Sequence, residues 1–186
     1  MPMPIKIVET DFPGVLIVET ASFHDERGFF SETYSESIWR DAGFAQRFVQ
    51  DNLSMSIKGT VRGLHYQLHP NAMGKLVRAV KGAVYDVGVD LRTGSPTYGR
   101  HIATTLRAGD NRWLWLPGGF AHGFVALEDD TIVYYKCSAM HCPEAERAVR
   151  YNDPALAIAW PIAPAVISKK DAQAPLFDEA ERNFVF

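Results

Sequence analysis

Short runs rich in valine, isoleucine, tyrosine and tryptophan recur along this chain, separated by turn-forming sequences. Runs of this kind predict β-strands, and their spacing of roughly 8–12 residues is typical of a sandwich or a barrel. No strand–helix–strand repeat is present, so a parallel sheet is not expected. The predicted strands are VLIVE (15–19), KLVRAV (75–80), AVYDVGVDL (83–91), RWLWL (112–116), GFVAL (123–127) and TIVYYKCS (131–138).

Two short helices are predicted beside these strands. SESIWRDAGF (35–44) begins with a serine suited to capping a helix and carries acids early in its first turn. A weaker pattern near 171–181 predicts the second helix. The 186 residues are 47% hydrophobic, which is enough for a sizeable core, and no linker, repeat or low-complexity segment divides them. We therefore expect one all-β domain over residues 1–186 with short flanking helices.

Charge and hydropathy argue against several classes of protein. The net charge is −3, and no basic block or arginine-rich helix suggests a nucleic-acid groove. The N-terminal MPMPIKIV lacks the apolar stretch of a signal peptide, and no segment is apolar for long enough to span a membrane. The two cysteines, Cys137 and Cys142, fit no zinc or redox spacing. These features predict a cytoplasmic protein without disulfides.

The segment GDNRWLWLPGGFAHGF (109–124) narrows the fold class. A strand, a tight Pro-Gly-Gly turn and a histidine on the next strand would aim a side chain into the mouth of a barrel. This arrangement resembles the second signature of the cupin superfamily, whose fold is a double-stranded β-helix or jelly roll. The first cupin signature usually supplies two histidines and a glutamate to a metal. Here that place reads HYQ, with Gln67 instead of the second histidine, so no metal site is expected.

Several titratable residues lie in or near the predicted strands. A neutral imidazole at His65 could act as a general base near pH 7, although a lone histidine more often only packs. Its orienting carboxylate would be Asp171 or Asp86, and the sequence leaves both open. His122 is a second candidate imidazole. Lys75 begins a predicted strand, so its ammonium lies either at a pocket rim or in solvent.

Strand parity limits which of these side chains can share a cavity. Arg62 and His65 have opposite parity on a regular strand, so both reach one cavity only if Gly63 bends or bulges the chain. Tyr134 and Tyr135 are adjacent, so at most one phenol points inward. An inward phenol could protonate a carbanion, whereas a tyrosine in a strand more often belongs to a core.

Eight segments, in order along the chain, together resemble one known family. They are DERGFFSE (25–32), FVQDNLSMS (48–56), VRGLHYQ (61–67), GKLVRAVKGAVYDVGVDLRTGSPTYG (74–99), LPGGFAHGF (116–124), YKCS (135–138), DPALAIAWP (153–161) and SKKDAQAP (168–175). Through them the chain closely resembles the dTDP-4-dehydrorhamnose 3,5-epimerases and related dTDP-4-keto-6-deoxysugar epimerases. The resemblance covers almost the whole sequence.

This resemblance implies a metal-free cupin jelly roll, usually a homodimer, that needs no cofactor. The implied substrate is a dTDP-linked sugar whose C4 ketone acidifies the protons on C3 and C5, because loss of either proton gives an enolate. Carried over by motif, His65 is the base and Asp171 holds its tautomer. Lys75 stabilises the enolate, and Tyr135 returns a proton from the opposite side.

The resemblance also implies a set of substrate-binding residues. Arginine forks match phosphate oxygens, which suits the sugar-linked diphosphate. The implied diphosphate contacts are Arg27 and Arg62, with His122 and Lys170 in the same cleft; the nucleoside set is Phe30, Glu32, Gln50 and Asn52, and Glu146 and His141 complete the substrate contacts. The phenylalanine and the glutamate of the nucleoside set would come from the partner subunit. Their alternative interpretation is an edge strand with ordinary polar residues.

One position departs from the family pattern. The family usually has a tyrosine six residues beyond Tyr135, and this chain has His141 there. The base contacts, the sugar and the number of carbons inverted therefore stay open. The alternatives are a single-carbon (C3 or C5) epimerase of another nucleotide-linked 4-keto-deoxysugar, a metal-dependent cupin enzyme, and a non-catalytic cupin that binds nucleotide sugars.

Overall fold

The computed structural model of the chain describes residues 5–186, and these are mostly strands. The strands are β1 (Ile5–Glu9), β2 (Leu16–Thr20), β3 (Phe23–Asp25), β4 (Gly28–Phe30), β5 (Gln50–Ser56), β6 (Thr60–Gln67), β7 (Lys75–Lys81), β8 (Ala83–Asp90), β9 (His101–Arg107), β10 (Arg112–Leu116), β11 (Phe120–Ala126), β12 (Thr131–Cys137), β13 (Glu146–Ala148) and β14 (Val166–Ile167). The helices are α1 (Glu36–Asp41) and α2 (Lys169–Ala172).

The strands form two sheets that face each other. The first sheet has the order β1-β2-β10-β7-β12-β5, and the second has β13-β6-β11-β8-β9 with β14 added to β6. All pairs along these two orders are antiparallel, whereas β14 runs parallel to β6. Strands β3 and β4 form a separate hairpin. The expected all-β jelly roll is confirmed.

Side-chain alternation along the strands divides the apolar residues into three layers. The layer between the sheets includes Val77 and Leu114 from the first sheet and Val84 and Phe124 from the second. On the outer side of the first sheet, Trp39 of α1 packs with the tryptophans of β10. The outer side of the second sheet is covered by the C-terminal segment. Polar residues that alternate inward therefore meet between the sheets.

Both predicted helices are shorter than expected. Helix α1 spans Glu36–Asp41, and Gly43 follows with a positive φ of 98°. Ser35 occupies the N-cap position, but its side chain makes no capping hydrogen bond. The helix expected near 171–181 is wrong: α2 ends at Ala172, because a proline at 175 has no N–H and excludes the helical conformation just before it. None of the helices within residues 5–186 is long and apolar enough to cross a membrane.

Several strands were not predicted from the sequence, because their composition is mixed rather than apolar. Strand β9 (HIATTLR) is half-buried along most of its length, so it shows no alternation of polar and apolar residues. Strand β5 (QDNLSMS) lies at the edge of the first sheet and alternates in the opposite sense, with polar residues facing inward. Hydrophobic patterning does not detect such strands: β9 mixes polar and apolar residues on both sides, and the inner side of β5 lines a polar cavity.

A bulge in β6 changes which side chains face inward. Against β11, His65 pairs with His122 while Arg62 pairs with Phe124, so β6 holds one residue more than its partner over this stretch. Gly63 has φ +122°, and a Cβ there would lie 2.5 Å from the Cα of Gly123. Only glycine fits. The expectation that Gly63 bulges the chain is confirmed.

Candidate active site

An open cavity of about 490 Å³ lies between the two sheets. The second sheet contributes β6 and β11, the first contributes β7 and β12, and the segment from β14 to α2 forms the remaining wall. Among its lining residues are His65, Arg62, His122, Lys75, Tyr135, Lys170 and Asp171. Side chains of residues more than 100 positions apart thus share one space, as the resemblance implied.

His65 and Asp171 form a short polar contact in the cavity. His65 Nε2 lies 2.6 Å from Asp171 Oδ1, and the second carboxylate oxygen accepts from the N–H of Gly63 at 3.3 Å. Burial on its own would raise the pKa of Asp171, but the contact with His65 and the other hydrogen bonds lower it overall. The ionised carboxylate accepts only, so Nε2 carries the proton and Nδ1 is left as a proton acceptor.

A short capped turn holds Asp171 in place. Strand β14 pairs in parallel with the start of β6, which brings α2 across the cavity. Ser168 caps this helix, and its hydroxyl accepts from the N–H of Asp171 at 3.0 Å. Ser168 was not among the predicted site residues. Its signal was available, since Ser-x-x-Asp is a helix-start pattern.

Lys75 and Tyr135 face His65 from the opposite sheet. Lys75 Nζ lies 3.5 Å from the carbonyl oxygen of His65, and burial lowers the pKa of this ammonium although Asp86 and Glu146 oppose the shift. Lys75 is therefore half-buried at the cavity, not solvated at a strand end. Burial also raises the pKa of Tyr135, which keeps its phenol protonated at neutral pH.

The inward tyrosine of the adjacent pair is Tyr135. Tyr134 points to the outer side of the first sheet, where its hydroxyl donates to Asp51 at 3.0 Å. The two phenols lie on opposite sides of the sheet, as strand parity predicted. Only Tyr135 is available to a molecule in the cavity.

A second histidine–aspartate pair lies behind the first. His122 Nε2 is 3.1 Å from both carboxylate oxygens of Asp86, and both side chains are buried. Burial lowers the pKa of His122 despite the neighbouring carboxylate, so this imidazole is neutral near pH 7. The structure therefore assigns the two candidate carboxylates: Asp171 contacts His65, and Asp86 contacts His122.

Arg62 is fixed at the cavity rim by β5. Its Nε donates to Ser56 Oγ at 3.0 Å, and Nη2 donates to the carbonyl oxygen of Met55 at 2.9 Å. Nη1 makes no hydrogen bond among the described residues, and the side chain is exposed at the opening. A held guanidinium with a free edge suits an oxyanion that enters from solvent.

A smaller cavity of about 290 Å³ adjoins the first and shares His65, Lys75 and Tyr135 with it. Gln50, Asn52, His141 and Glu146 line its far side. Glu146 Oε2 accepts from Lys170 Nζ at 2.6 Å and lies 3.8 Å from His141 Nε2. Burial would raise the pKa of Glu146, but the Lys170 contact lowers it overall, so it is a carboxylate at neutral pH.

Gln67 hydrogen-bonds the backbone beside the smaller cavity, a role that was not predicted from the sequence. Its side chain is buried and donates to the carbonyl oxygens of Asn71 (2.8 Å) and Met140 (3.2 Å), while accepting from the N–H of Cys142 (2.8 Å). The residue that stands in place of a cupin metal ligand thus holds the backbone on both sides of His141. Gln50 adds a third contact, because its Oε1 accepts from the N–H of His141 at 2.9 Å.

Three of the predicted binding residues lie outside these cavities. Arg27 and Phe30 are on the β3–β4 hairpin, where Arg27 pairs with Asp25 and Phe30 is 68% exposed. Glu32 follows the hairpin and lines neither cavity. Within one chain, the structure does not bring these residues to His65.

The histidines and acids of the cavities are arranged as pairs. Within residues 5–186, no three histidine, cysteine, aspartate or glutamate side chains converge in a way that could hold a metal ion. Each imidazole of the two pairs already contacts a carboxylate. This donor set suits proton transfer better than metal ligation.

Comparisons with known proteins agree on one family. Residues 9–179 match the family model described as dTDP-4-dehydrorhamnose 3,5-epimerase. The enzyme of that name from Shigella flexneri is 44% identical over 178 residues, covering 95% of this chain and 98% of that one. The crystal structure of a Bacillus anthracis dTDP-4-dehydrorhamnose 3,5-epimerase with TDP and PPi bound has a TM-score of 0.90 at 42% identity, covering 93% and 99% of the two chains.

A second solved structure has a sugar nucleotide in place. It is the Legionella pneumophila dTDP-6-deoxy-D-glucose-3,5-epimerase in complex with dTDP-4-keto-L-rhamnose, with a TM-score of 0.90 and 42% identity. The alignment covers 95% of this chain and 94% of that one. Family match, identity and fold agree over nearly the whole length. The chain belongs to the dTDP-4-dehydrorhamnose 3,5-epimerase family, a family of isomerases that act on carbohydrates.

Proposed function

We propose that this protein inverts C3 and C5 of dTDP-4-dehydro-6-deoxy-D-glucose and so produces dTDP-4-dehydro-L-rhamnose. One observation carries the proposal: His65 with its Asp171 partner lies on the second sheet, and Tyr135 lies on the first, across the same cavity. Inversion at carbon needs a base on one side and an acid on the other. The two sheets supply one each.

In the proposed reaction, Nδ1 of His65 takes the proton from the carbon next to the C4 ketone. The electron pair of the C–H bond moves to the ketone oxygen, and Lys75 stabilises the enolate. The Tyr135 phenol then gives a proton to the opposite side of the same carbon, and proton exchange with water restores His65 and Tyr135. A positioned base contributes roughly 10²–10⁴-fold to such a step, and an oxyanion donor roughly 10²–10³-fold.

The groups at the cavity rim support a nucleotide sugar as the substrate. The free edge of Arg62 and the neighbouring Lys170 offer cations for a diphosphate at the larger cavity. Gln50, Asn52 and Glu146 line the smaller cavity with polar groups suited to a sugar and a base. We assign His141 to this second set, as the residue through which this chain selects its base or sugar.

We further propose that the protein acts as a homodimer in the cytoplasm. Arg27 and Phe30 lie on a hairpin that projects from its own chain, and they would complete the site of a second copy together with Glu32. The free thiols of Cys137 and Cys142 suit a reducing compartment. No cofactor enters the proposed reaction, because proton transfer alone inverts each carbon.

Incubation of the protein with dTDP-4-dehydro-6-deoxy-D-glucose in D₂O tests the proposal. We expect NMR spectra to show deuterium at both C3 and C5 of an inverted product. Deuterium at only one carbon would indicate the single-carbon epimerase, and no incorporation would reject the reaction. Replacing His65 by alanine should abolish exchange, whereas replacing His101, which lies on the edge strand β9 and lines neither cavity, should leave it unchanged.

A further inference from the structure

One carboxylate oxygen between the two cavities is shared by two basic side chains. Glu146 Oε2 accepts from Lys170 Nζ at 2.6 Å, and Nε2 of His141 lies 3.8 Å from the same oxygen. Lys170 belongs to α2 and lines the larger cavity, whereas Glu146 and His141 line the smaller one. The three side chains therefore connect the openings of both cavities.

A carboxylate at this place opposes the binding of an anionic substrate. Among the described residues that line the two cavities, the acids are Asp171, which contacts His65, and Glu146. The Glu146 carboxylate repels a diphosphate, and it also occupies the ammonium of Lys170 that a diphosphate would use. While His141 is neutral, the charges of Glu146 and Lys170 cancel, so the group offers the diphosphate no net charge.

The third member of the group can change this balance. Histidine is the side chain that gains a proton between about pH 8 and pH 5. The side chain of His141 is 51% exposed, so solvent reaches it, while Gln50 and Gln67 hold its backbone. A protonated imidazole beside Glu146 competes with Lys170 for the carboxylate, and one negative and two positive charges then leave a net charge of +1.

We propose that the binding of the nucleotide diphosphate to this chain is coupled to the uptake of a proton by His141. The protonated imidazole pairs with the Glu146 carboxylate, and Lys170 is released to the phosphate oxygens. The inference rests on the dTDP-linked substrate of the proposed function and adds the residue that regulates its binding. Affinity for the diphosphate therefore rises as the pH falls through the range in which His141 gains its proton.

Other charged and titratable groups lie near His141, from the walls of the smaller cavity, from the same loop and from the proposed second copy. They are His65, Lys75, Tyr135, Cys142, Glu144 and, from the second copy, Arg27 and Glu32. The phosphates of the nucleotide titrate as well. All of these groups are unchanged in a variant that lacks only the imidazole, so their effects cancel when that variant is compared with wild type.

Isothermal titration calorimetry of the full chain with dTDP tests the coupling, with His141 replaced by glutamine or lysine. A unit charge about 4 Å away at an exposed site changes affinity by about 5-fold, so wild type should bind dTDP about 5-fold more tightly than H141Q at pH 6 and equally well at pH 8.5. H141K is charged throughout and should keep the tighter binding at both pH values. His101→Gln on the edge strand β9 should follow wild type. Near-UV circular dichroism checks that each variant is folded.

A second variant tests the release of Lys170. E146Q keeps the size of the side chain but removes the shared charge, so Lys170 is free without a proton on His141. E146Q should therefore bind dTDP more tightly than wild type at pH 8.5. Weaker binding would mean that Glu146 contacts the nucleotide itself, and it would overturn the release.

The remaining outcomes separate this inference from the proposed reaction. Identical pH profiles of wild type and H141Q would overturn the coupling, even in a chain that exchanges deuterium at C3 and C5. Thymidine has no phosphate, so a pH-dependent difference of the same size with thymidine would place the effect of His141 on the base and also overturn the inference. A chain that binds dTDP with the expected coupling but exchanges no deuterium would keep the inference and lose the reaction. Absence of dTDP binding at every pH would reject both.

Discussion

His65 Nε2 and Asp171 Oδ1 lie 2.6 Å apart, although 105 residues of chain separate the two. The Gly63 N–H donates to the second carboxylate oxygen, and the Ser168 hydroxyl accepts from the backbone N–H of Asp171. The contact sets both the tautomer and the direction of the imidazole, and it offers a negative charge to the imidazolium formed when a proton is taken.

Replacing Asp171 by asparagine should slow the reaction strongly while the fold persists. Asparagine keeps the size of the side chain but loses the charge that stabilises a protonated His65, so we expect kcat to fall about 100-fold or more. The measurement is the initial rate of deuterium incorporation from D₂O. The exposed Asp178→Asn variant is the matched control, and a D171N rate equal to wild type would remove Asp171 from the mechanism.

Replacing Tyr135 by phenylalanine should separate exchange from inversion. His65 can still remove a proton and return one to the same side, so deuterium should enter the substrate with its configuration retained. Product NMR distinguishes the two outcomes in one experiment. Tyr134→Phe is the control, since that phenol lies on the other side of the sheet; inversion at normal rates in Y135F would identify another acid.

Replacing Gln67 by leucine should weaken substrate binding more than it slows proton transfer. Three backbone groups would lose their partner, two of them on either side of His141, at a cost of about 1–3 kcal/mol for each buried group left unpaired. We expect KM to rise more than kcat falls, together with weaker dTDP binding by calorimetry. The exposed Gln46→Leu variant controls for the change of residue type. An unchanged KM would show that the position of the His141 backbone does not depend on the hydrogen bonds of Gln67.

Asp90 should make folding stability depend on pH in the acid range. Burial would raise its pKa, but hydrogen bonds from Arg92, Ser95 and Thr97 lower it below the usual 3.8. The folded state therefore binds the proton less readily than the unfolded state. The stabilisation is complete above about pH 5 and is lost as the pH falls through the folded-state value.

The comparison of wild type with Asp90→Asn checks this. The difference in free energy of unfolding, measured by urea titration at several pH values, should be largest near neutral pH and shrink from pH 5 toward pH 2. The exposed Asp110→Asn variant should show no such trend. A difference that stays constant with pH would mean that charge on Asp90 does not stabilise the fold.

Replacing Gly63 by alanine should destabilise the protein and remove Arg62 from the cavity. The new Cβ would lie 2.5 Å from Gly123 Cα on a backbone with φ +122°, so β6 must move away from β11. We expect a loss of several kcal/mol in the free energy of unfolding, on the order of other severe backbone conflicts. Gly94→Ala is the control: its φ is also positive, but no atom lies within 4 Å of the added Cβ.

Local sequence patterns predicted the strands that carry many apolar residues, including the cavity-lining β7, β11 and β12, but not the polar edge strand β5. Strands such as β8 and β10 are recognisable because valine, leucine and tryptophan dominate them. The inward side of β5 is polar, so burial leaves no hydrophobic signal there. Parity and one glycine were sufficient to predict the bulge that lets Arg62 and His65 share a cavity.

Contacts between residues that are far apart in the sequence could be identified only from the structure. Residue patterns alone could not decide whether Asp86 or Asp171 orients His65, because both are plausible inward carboxylates, and only the family resemblance pointed to Asp171. The choice depends on the parallel addition of β14 to β6, which two residues of strand specify. The roles given to the site residues stay predictions, and their arrangement shows only that most of them meet.

Because the proposed base and the proposed acid stand on different sheets, the thickness of the apolar layer between those sheets sets the gap in which the reacting carbon must fit. That layer acts as a spacer. A smaller or larger side chain at a position such as Val77 or Phe124 would change the distance between the sheets without altering any reacting group. Errors of about 1 Å in the placement of reacting atoms can cost roughly 100-fold in rate. With His65 and Tyr135 in their proposed roles, turnover is tied to the dimensions of the interior, and we expect substitutions chosen only to tighten the core to carry a catalytic consequence.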